Sequence, residues 1–195
     1  MKVSDLDLAI DLMLKSPNKH LTMEFQGGES SLVPELIKHA IEETERKNIK
    51  YVICTNIVHF SDSLLKLCEQ YNVFISTSLD GAEELHDYNR GVKGSYSKFH
   101  NSLCVLRDKL GFNRVSPLMT TSELSLEYPK QIIDTYREFG FSYIFLRPLN
   151  PYGRAKYNKN WELYFERFID FYKQALEYIF EINKRGEFFI EGFTA

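Results

Sequence analysis

Two short segments of this chain combine glycine with polar side chains directly after an apolar run. The first is Gly27-Gly28-Glu29, which follows the run at Leu21–Phe25. Adjacent glycines let the backbone approach a ligand and expose its amide and carbonyl groups. Glu29 can accept a hydrogen bond from a ligand ammonium group, or it can cap the next helix, because acidic side chains are favoured at helix N-termini. An ordinary tight turn is an equally open interpretation of the two glycines.

The second segment is Ser78-Leu79-Asp80-Gly81, at the end of a later apolar run. A histidine and an aspartate follow it at His86-Asp87, and an arginine follows at Arg90. Strands often end in such a turn, and Arg90 can be a solvated charge whose ion pair contributes little to stability. What favours a function is that both segments occur together and in this order.

Composition bounds the class of protein. The chain has 195 residues, of which 44% are hydrophobic and 26% charged, enough for one globular domain with a sizeable core. Its net charge of −3 gives no electrostatic reason to expect binding to nucleic acid or to an anionic membrane. No apolar run approaches the roughly 20 residues of a spanning helix, and the N-terminus lacks the apolar segment of a signal peptide. We therefore expect a cytoplasmic protein without nucleic-acid or membrane partners.

The three cysteines, Cys54, Cys68 and Cys104, are widely separated. Scattered cysteines favour a reducing compartment over a disulfide framework. Cys54 falls in a predicted strand and the other two fall on apolar helix positions. We expect all three to be small core residues rather than metal ligands, and the five histidines show no metal-ligand spacing either.

Short β-rich runs alternate with amphipathic stretches along the chain, which predicts an α/β fold. Strands are predicted at 21–25, 51–55, 73–78, 115–121 and 143–149, with a further strand beginning within 188–193. One helix is predicted before residue 21, and others are predicted at 32–47, 61–71, 95–111 and 159–185. A further helix, between the strands at 115–121 and 143–149, is predicted to end at residue 140.

Strands that alternate with helices over short connections imply parallel pairing with right-handed crossovers. Two architectures fit this pattern: an open doubly wound sheet, or a complete or partial α/β barrel. In both, ligands bind at the carboxyl ends of the strands, and we expect the unusual residues to share that rim. These residues are Gly27, Gly28 and Glu29, Asn56 and His59, Ser78 and Asp80, Thr120 and Thr121, and Arg147 and Asn150.

The order of the motifs resembles the peptide-modifying branch of the radical S-adenosylmethionine (SAM) enzymes, which includes the anaerobic sulfatase-maturating enzymes. The motifs are Gly27-Gly28-Glu29, Ser78-Leu79-Asp80-Gly81, His86-Asp87-Tyr88-Asn89-Arg90 and Gly91-Val92-Lys93-Gly94-Ser95. Within that branch, residues 124–129 and 147–153 look most like the maturase of the His-Xaa-Ser peptide systems. The resemblance covers nearly the whole chain.

The resemblance implies a TIM-like (β/α) barrel with parallel strands. It also implies that a [4Fe–4S] cluster cleaves SAM reductively, giving a 5′-deoxyadenosyl radical that abstracts hydrogen from a substrate peptide or protein. Carried over by position, Gly27, Gly28 and Glu29 would meet the methionine amino group. Ser78 and Arg90 would hold the methionine carboxylate, a task that suits a guanidinium because it can bind both carboxylate oxygens.

The CxxxCxxC loop that holds the cluster in this family has no counterpart in the chain. In the family that loop follows a first barrel strand, whereas here only one helix is predicted before residue 21. The resemblance therefore implies a partial radical SAM barrel at 1–187 that lacks its first strand, followed by the start of a post-barrel segment at 188–195. We expect a fragment that is inactive by itself and that pairs with a missing N-terminal piece, or self-associates, through the open edge of strand 21–25.

Two alternatives belong to other classes of protein. The chain can be a non-catalytic partial barrel that binds a peptide or a partner protein. It can also be an unrelated α/β enzyme that uses the glycine turn to bind phosphate, which the absence of GxxxxGK[ST] and GxGxxG disfavours.

Overall fold

The computed structural model describes residues 1–45, 47–152, 156 and 160–192. The helices along these residues are α1 (Val3–Leu14), α2 (Pro34–Thr44), α3 (Asp62–Gln70), α4 (Glu83–Arg90), α5 (Ser95–Leu110), α6 (Pro129–Glu138) and α7 (Trp161–Lys184). The strands are β1 (Leu21–Phe25), β2 (Ile49–Cys54), β3 (Phe74–Ser78), β4 (Val115–Leu118), β5 (Tyr143–Ile144) and β6 (Ile190–Glu191).

Strands and helices alternate as predicted, and the predicted α/β class with parallel strands is confirmed. A four-stranded sheet has the order β1-β2-β3-β4, and β5 and β6 form a second, two-stranded sheet. β1 pairs in parallel with β2, β2 with β3, and β5 with β6. The segments that follow β1, β2 and β3 therefore all begin at the same end of the sheet, where the carboxyl ends of these parallel strands lie. Within the described residues β1 lies at one edge, and its pairing with another piece of chain stays a prediction.

The chain divides into two compact units. The first consists of Met1–Thr77 and Lys98–Ser116, and the second of Ser78–Ser97 and Pro117–Ala195. The predicted domain boundary at residue 187 stays a prediction.

In the first unit, alternating burial along the strands separates a covered face from an open one. Tyr51 and Ile53 of β2 are buried, while Lys50 is exposed and Cys54 only half-buried. This period of two is what a strand with one covered face requires. On the covered side α1 and α2 pack with β1 in one cluster, formed by Leu6, Ile10, Leu14, Met23, Phe25, Leu36 and Ala40.

The second unit is built around α7. The buried residues of α7 recur at helical spacing, as an amphipathic helix requires. They are Tyr164, Phe171, Ala175, Ile179 and Ile182. The helix begins after Asn160, whose side-chain oxygen accepts the N–H of Leu163 at 3.2 Å and caps the helix. The predicted start at residue 159 lies outside the described residues.

Several element boundaries differ from the prediction. Instead of one helix over 32–47, a 3-10 turn at Ser30–Leu32 precedes α2, because Pro34 disfavours helical backbone at the residue before it. β4 and β5 are shorter than predicted, and beyond them Thr121 and Pro148 form an isolated parallel bridge. β6 lies inside the predicted range 188–193, of which residue 193 is outside the described part of the chain.

Within the described residues, no helix has the combination of length and apolar character needed to cross a membrane.

Candidate functional site

The turn after β1 leaves open space beside its backbone. Gly27 and Gly28 are both exposed, and a Cβ atom placed on either would have no neighbouring heavy atom within 4 Å. Neither glycine has a positive φ. Neither the backbone conformation nor the surrounding space therefore requires glycine at these two positions.

Glu29 holds this turn in place. One carboxylate oxygen, Oε1, accepts the N–H of Ser31 at 3.2 Å and its hydroxyl at 2.8 Å, and Oε2 accepts the N–H of Asn56 at 2.9 Å. Burial raises the pKa of Glu29, but hydrogen bonds from Thr55, Asn56 and Ser31 outweigh it and hold the pKa below its ordinary value of 4.5. The capping role is thus observed, and a role toward a ligand ammonium group stays a prediction.

In the second unit, the bend after β3 is fixed by buried polar contacts. Ser78 ends the strand and is half-buried, and Leu79 donates its N–H to the carbonyl of Leu118 at 3.0 Å. Asp80 is completely buried, and its Oδ1 accepts the N–H of Thr120 at 2.8 Å. The carbonyl of Leu79 accepts the hydroxyl of Tyr136 at 2.8 Å. The backbone from Leu79 to Asp80 is therefore held from both sides.

Helix α4 brings Arg90 to this bend. Its Nη2 donates to Oδ1 of Asp80 at 2.6 Å, and its Nε lies 2.6 Å from Oδ2, an ion-pair contact rather than a directed hydrogen bond. The Arg90 side chain is 28% exposed, and Nη1 has no hydrogen-bond partner among the described residues. One edge of the guanidinium thus binds Asp80 and another remains available.

His86 and Asp87 have structural partners. Nδ1 of the buried His86 accepts the N–H of Asp80 at 3.3 Å. Burial lowers the pKa of His86 despite the opposing influence of the Asp80 carboxylate, so the imidazole is neutral near pH 7. Asp87 accepts the hydroxyl of Ser95 at 3.1 Å and the N–H of Tyr96 at 2.8 Å, which caps α5.

A further polar cluster, not identified from the sequence, surrounds Asn89. Its Nδ2 donates to the carbonyl of Thr120 at 3.4 Å, and its Oδ1 accepts the hydroxyl of Ser122 at 2.7 Å. Thr120 directly precedes Thr121, which bridges to Pro148, the residue after Arg147. The predicted rim residues Thr120 and Arg147 therefore lie at corresponding positions beside this bridge.

The cysteines differ from one another in their surroundings. Cys68 is buried, as expected, but Cys54 is half-buried and Cys104 is exposed, so the expectation that all three are core residues was wrong. The alternation of β2 puts Cys54 on the open face, where its thiol donates to Oε1 of Glu24 at 2.8 Å. In the described part of the chain, no group of three or more His, Cys, Asp or Glu is arranged to hold a metal ion.

Comparison with known proteins identifies relatives that include a sulfatase-maturating enzyme and a radical SAM enzyme. The chain is 25% identical over 196 residues to a cysteine-type anaerobic sulfatase-maturating enzyme of Clostridium novyi (strain NT), covering 87% of this chain and 52% of the relative. It is 23% identical to the radical SAM cyclopropyl synthase TigE of Paramaledivibacter caminithermalis, covering 90% of this chain and 37% of that protein. The chain therefore spans about half or less of the length of these relatives. No protein-family model matches it.

Solved structures show the same fold. Native anSMEcpe with bound AdoMet superposes with a TM-score of 0.79 at 20% identity, over 99% of this chain and 55% of that chain. The same protein with AdoMet and the Kp18Cys peptide gives a TM-score of 0.80, also at 20% identity, over 99% of this chain and 56% of that chain.

The fold is thus a mixed α/β fold with parallel strands, similar to the anSMEcpe fold over about 55% of that chain. The chain is radical SAM maturase-like: its relatives include anaerobic sulfatase-maturating enzymes and a radical SAM cyclopropyl synthase. The resemblance predicted from the motifs is confirmed at this level. The narrower likeness to the His-Xaa-Ser maturases stays a prediction.

Proposed function

We propose that this chain is the SAM-binding part of a radical SAM peptide maturase. The observation that carries the proposal is the placement of Arg90, which is partly buried beside the end of β3 and keeps N–H donors unpartnered among the described residues. A guanidinium in this state suits the carboxylate of an amino-acid moiety, because charge-assisted pairs of this kind are strong and directional. When bound and reduced, SAM supplies the radical chemistry of this class of enzyme.

The turn after β1 supports the same proposal independently. Gly27 and Gly28 expose backbone groups beside open space, as binding of a ligand amino group needs. Glu29 would contribute negative charge near that group while it continues to hold the turn. Ser78, half-buried at the end of β3, would donate its hydroxyl to the methionine carboxylate.

The described residues do not fit a [4Fe–4S] cluster. Such clusters are held by several cysteine thiolates close together, whereas Cys68 is buried on α3 and Cys104 is exposed on α5. The described residues therefore supply no site for the cluster, and we propose that this chain by itself binds SAM without cleaving it.

We further propose that the substrate class is a peptide or protein. Support comes from the solved neighbour that holds the Kp18Cys peptide and from relatives that are sulfatase-maturating enzymes.

The test is a calorimetric titration of the full chain with SAM, comparing Arg90→Ala with Arg185→Ala. Arg185 is 65% exposed and makes a surface pair with Glu181 at 3.9 Å. A charge-assisted contact in a partly buried site is worth about 1.5–3 kcal/mol, against about 0–1 for a surface pair. Arg90→Ala should therefore weaken SAM binding by at least about tenfold, and Arg185→Ala should leave it nearly unchanged.

Equal effects of the two substitutions would contradict the assignment of Arg90. Absence of binding by the unsubstituted chain at millimolar SAM would contradict the proposed function and would favour a non-catalytic barrel. An anaerobic assay of the SAM-bound chain with dithionite should yield no 5′-deoxyadenosine, and its formation would show that the chain is active by itself.

A further inference from the structure

We propose that Asp80 is a positioning residue for ligand binding, one that fixes which edge of the Arg90 guanidinium faces a bound carboxylate. This inference rests on the proposed function and adds a residue to it. Asp80 itself does not contact the ligand. It acts through Arg90.

Asp80 lies in the interior of the second unit and needs a cation beside it. Its side chain is completely buried, and a buried carboxylate is costly unless it is paired and hydrogen-bonded. Three groups surround it: the N–H of Thr120 at 2.8 Å, the Arg90 guanidinium at 2.6 Å, and Nδ1 of His86 at 4.0 Å. Because the neutral imidazole of His86 brings no charge, Arg90 is the cation that compensates Asp80.

Asp80 contacts the Arg90 guanidinium along a single edge. Oδ1 of Asp80 accepts a hydrogen bond from Nη2, and Oδ2 lies 2.6 Å from Nε in an ion-pair contact, so both oxygens lie along one edge of the planar group. The fork is rigid, and fixing one edge also fixes the direction of Nη1. Nη1 has no hydrogen-bond partner among the described residues, and the side chain is 28% exposed. The pair therefore presents prearranged donors to a ligand.

The backbone around Asp80 makes this orientation firm. Tyr136 binds the carbonyl of Leu79 at 2.8 Å, His86 accepts the N–H of Asp80 at 3.3 Å, and Gly81 has a φ of +134°. A donor that is already oriented loses less conformational entropy when the ligand binds. Asp80 should therefore increase the affinity for the carboxylate group of the ligand and should not affect binding of the rest of the ligand.

The experiment compares two ligands on the full chain: SAM, and decarboxylated SAM, which lacks only the carboxylate. Asp80→Asn keeps the size of the side chain and an acceptor for Thr120 but removes the charge that holds Arg90. It should weaken SAM binding about tenfold and change binding of decarboxylated SAM by no more than about twofold. The matched control is Asp134→Asn, whose carboxylate pairs with Arg137 at 2.7 Å, and it should affect neither ligand.

Equal weakening of both ligands by Asp80→Asn would show a merely structural role and would overturn the proposal. Should Asp80→Asn fail to fold, Arg90→Lys keeps the cation without the fork. It should show the same selective loss, and wild-type SAM affinity in that variant would equally overturn the proposal.

A separate measurement distinguishes this proposal from the proposed function. The NMR signal of the Arg90 Nη2 proton that Asp80 accepts should exchange slowly with water in the unliganded chain and rapidly in Asp80→Asn, whether or not SAM binds. No SAM binding together with this protection would refute the proposed function and keep the orientation of Arg90 by Asp80. Fast exchange in the unsubstituted chain would refute the orientation itself.

Discussion

The carboxylate of Glu29 accepts the backbone N–H of Asn56 at 2.9 Å, which joins the turn after β1 to the end of β2. Its other oxygen accepts both donors of Ser31 at the start of the following 3-10 turn. One side chain thus sets the shape of the glycine turn and caps the next element. The backbone of Gly27 and Gly28, which we propose binds the ligand, therefore depends on the Glu29 carboxylate for its position.

Replacement of Glu29 by glutamine should lower the free energy of unfolding by about 1 kcal/mol, because the amide nitrogen would face the N–H of Asn56 or Ser31 instead of accepting from it. The control is Glu69→Gln, an exposed residue of α3, which should change stability little. Urea denaturation at neutral pH measures both. If Glu69→Gln lowered the free energy of unfolding as much as Glu29→Gln does, this would contradict the role of the Glu29 carboxylate in holding the turn.

The same pair predicts a pH dependence. Because the pKa of folded Glu29 lies below its ordinary value of 4.5, its stabilising contribution is present above that pH and is lost as pH falls through the folded pKa. The difference in stability between the unsubstituted chain and Glu29→Gln should therefore shrink on acidification below about pH 4.5. A difference that stays constant down to about pH 3 would refute the assignment of the shift to Glu29.

Two histidines should shift the acid stability in opposite directions. Burial lowers the pKa of His86, so the unfolded chain takes up a proton more readily and stability falls as pH drops below 6.5. The hydrogen bond to Asp7 raises the pKa of His39, whose contribution is full below 6.5 and is lost as pH rises through the folded pKa. Changing from about pH 7.5 to about pH 5.5, His86→Gln should lose less stability than the unsubstituted chain and His39→Gln should lose more.

Thermal unfolding of the three proteins at both pH values measures this pair of effects. Parallel pH curves for all three would show that neither histidine titrates as the contacts imply.

Much of the fold was predictable because its signals are local. The apolar periodicity of β1 to β3 and of α2, α3 and α7 is strong, and caps such as Ser61 mark where helices begin. Helix α4 was not predicted, because its eight residues are mostly polar and only Leu85 and His86 are buried. The ends of β4 and β5 were misplaced because pairing across the sheet, not local preference, decides where a strand stops.

Motif order was enough to nominate Gly27, Gly28, Glu29, Ser78 and Arg90 as binding residues. The contacts made by the residues of those motifs could not be predicted from the sequence and are visible only in the structure. Asp80 was predicted to lie on the rim, but its pairing with Arg90 was not predicted. An aspartate at a predicted strand end, followed by an arginine on the next short helix, is the signal that could have revealed the pair. Cys104 was misjudged because near-helical apolar spacing does not say which side of α5 faces solvent.

Gly81 and Gly27 should respond differently to replacement by alanine. At Gly81 the backbone has a φ of +134°, and an added Cβ would lie 2.9 Å from Leu85 and 3.1 Å from Ile132, so Gly81→Ala should cost about 1–3 kcal/mol of stability. Gly27 has an ordinary φ and open space, so Gly27→Ala should leave stability within about 0.5 kcal/mol. Chemical denaturation decides the matter, and equal costs at both positions would contradict the described turn.

Binding of SAM by the segments that follow the parallel strands is tested most directly by following backbone amide signals of the full chain during titration with SAM. Saturable shifts of the Gly27 and Gly28 amides and of the Arg90 side chain are expected. The amide of Gly186, which follows α7, should not move. Unchanged Gly27, Gly28 and Arg90 signals at millimolar SAM, or shifts confined to residues elsewhere in the chain, would contradict SAM binding by these segments.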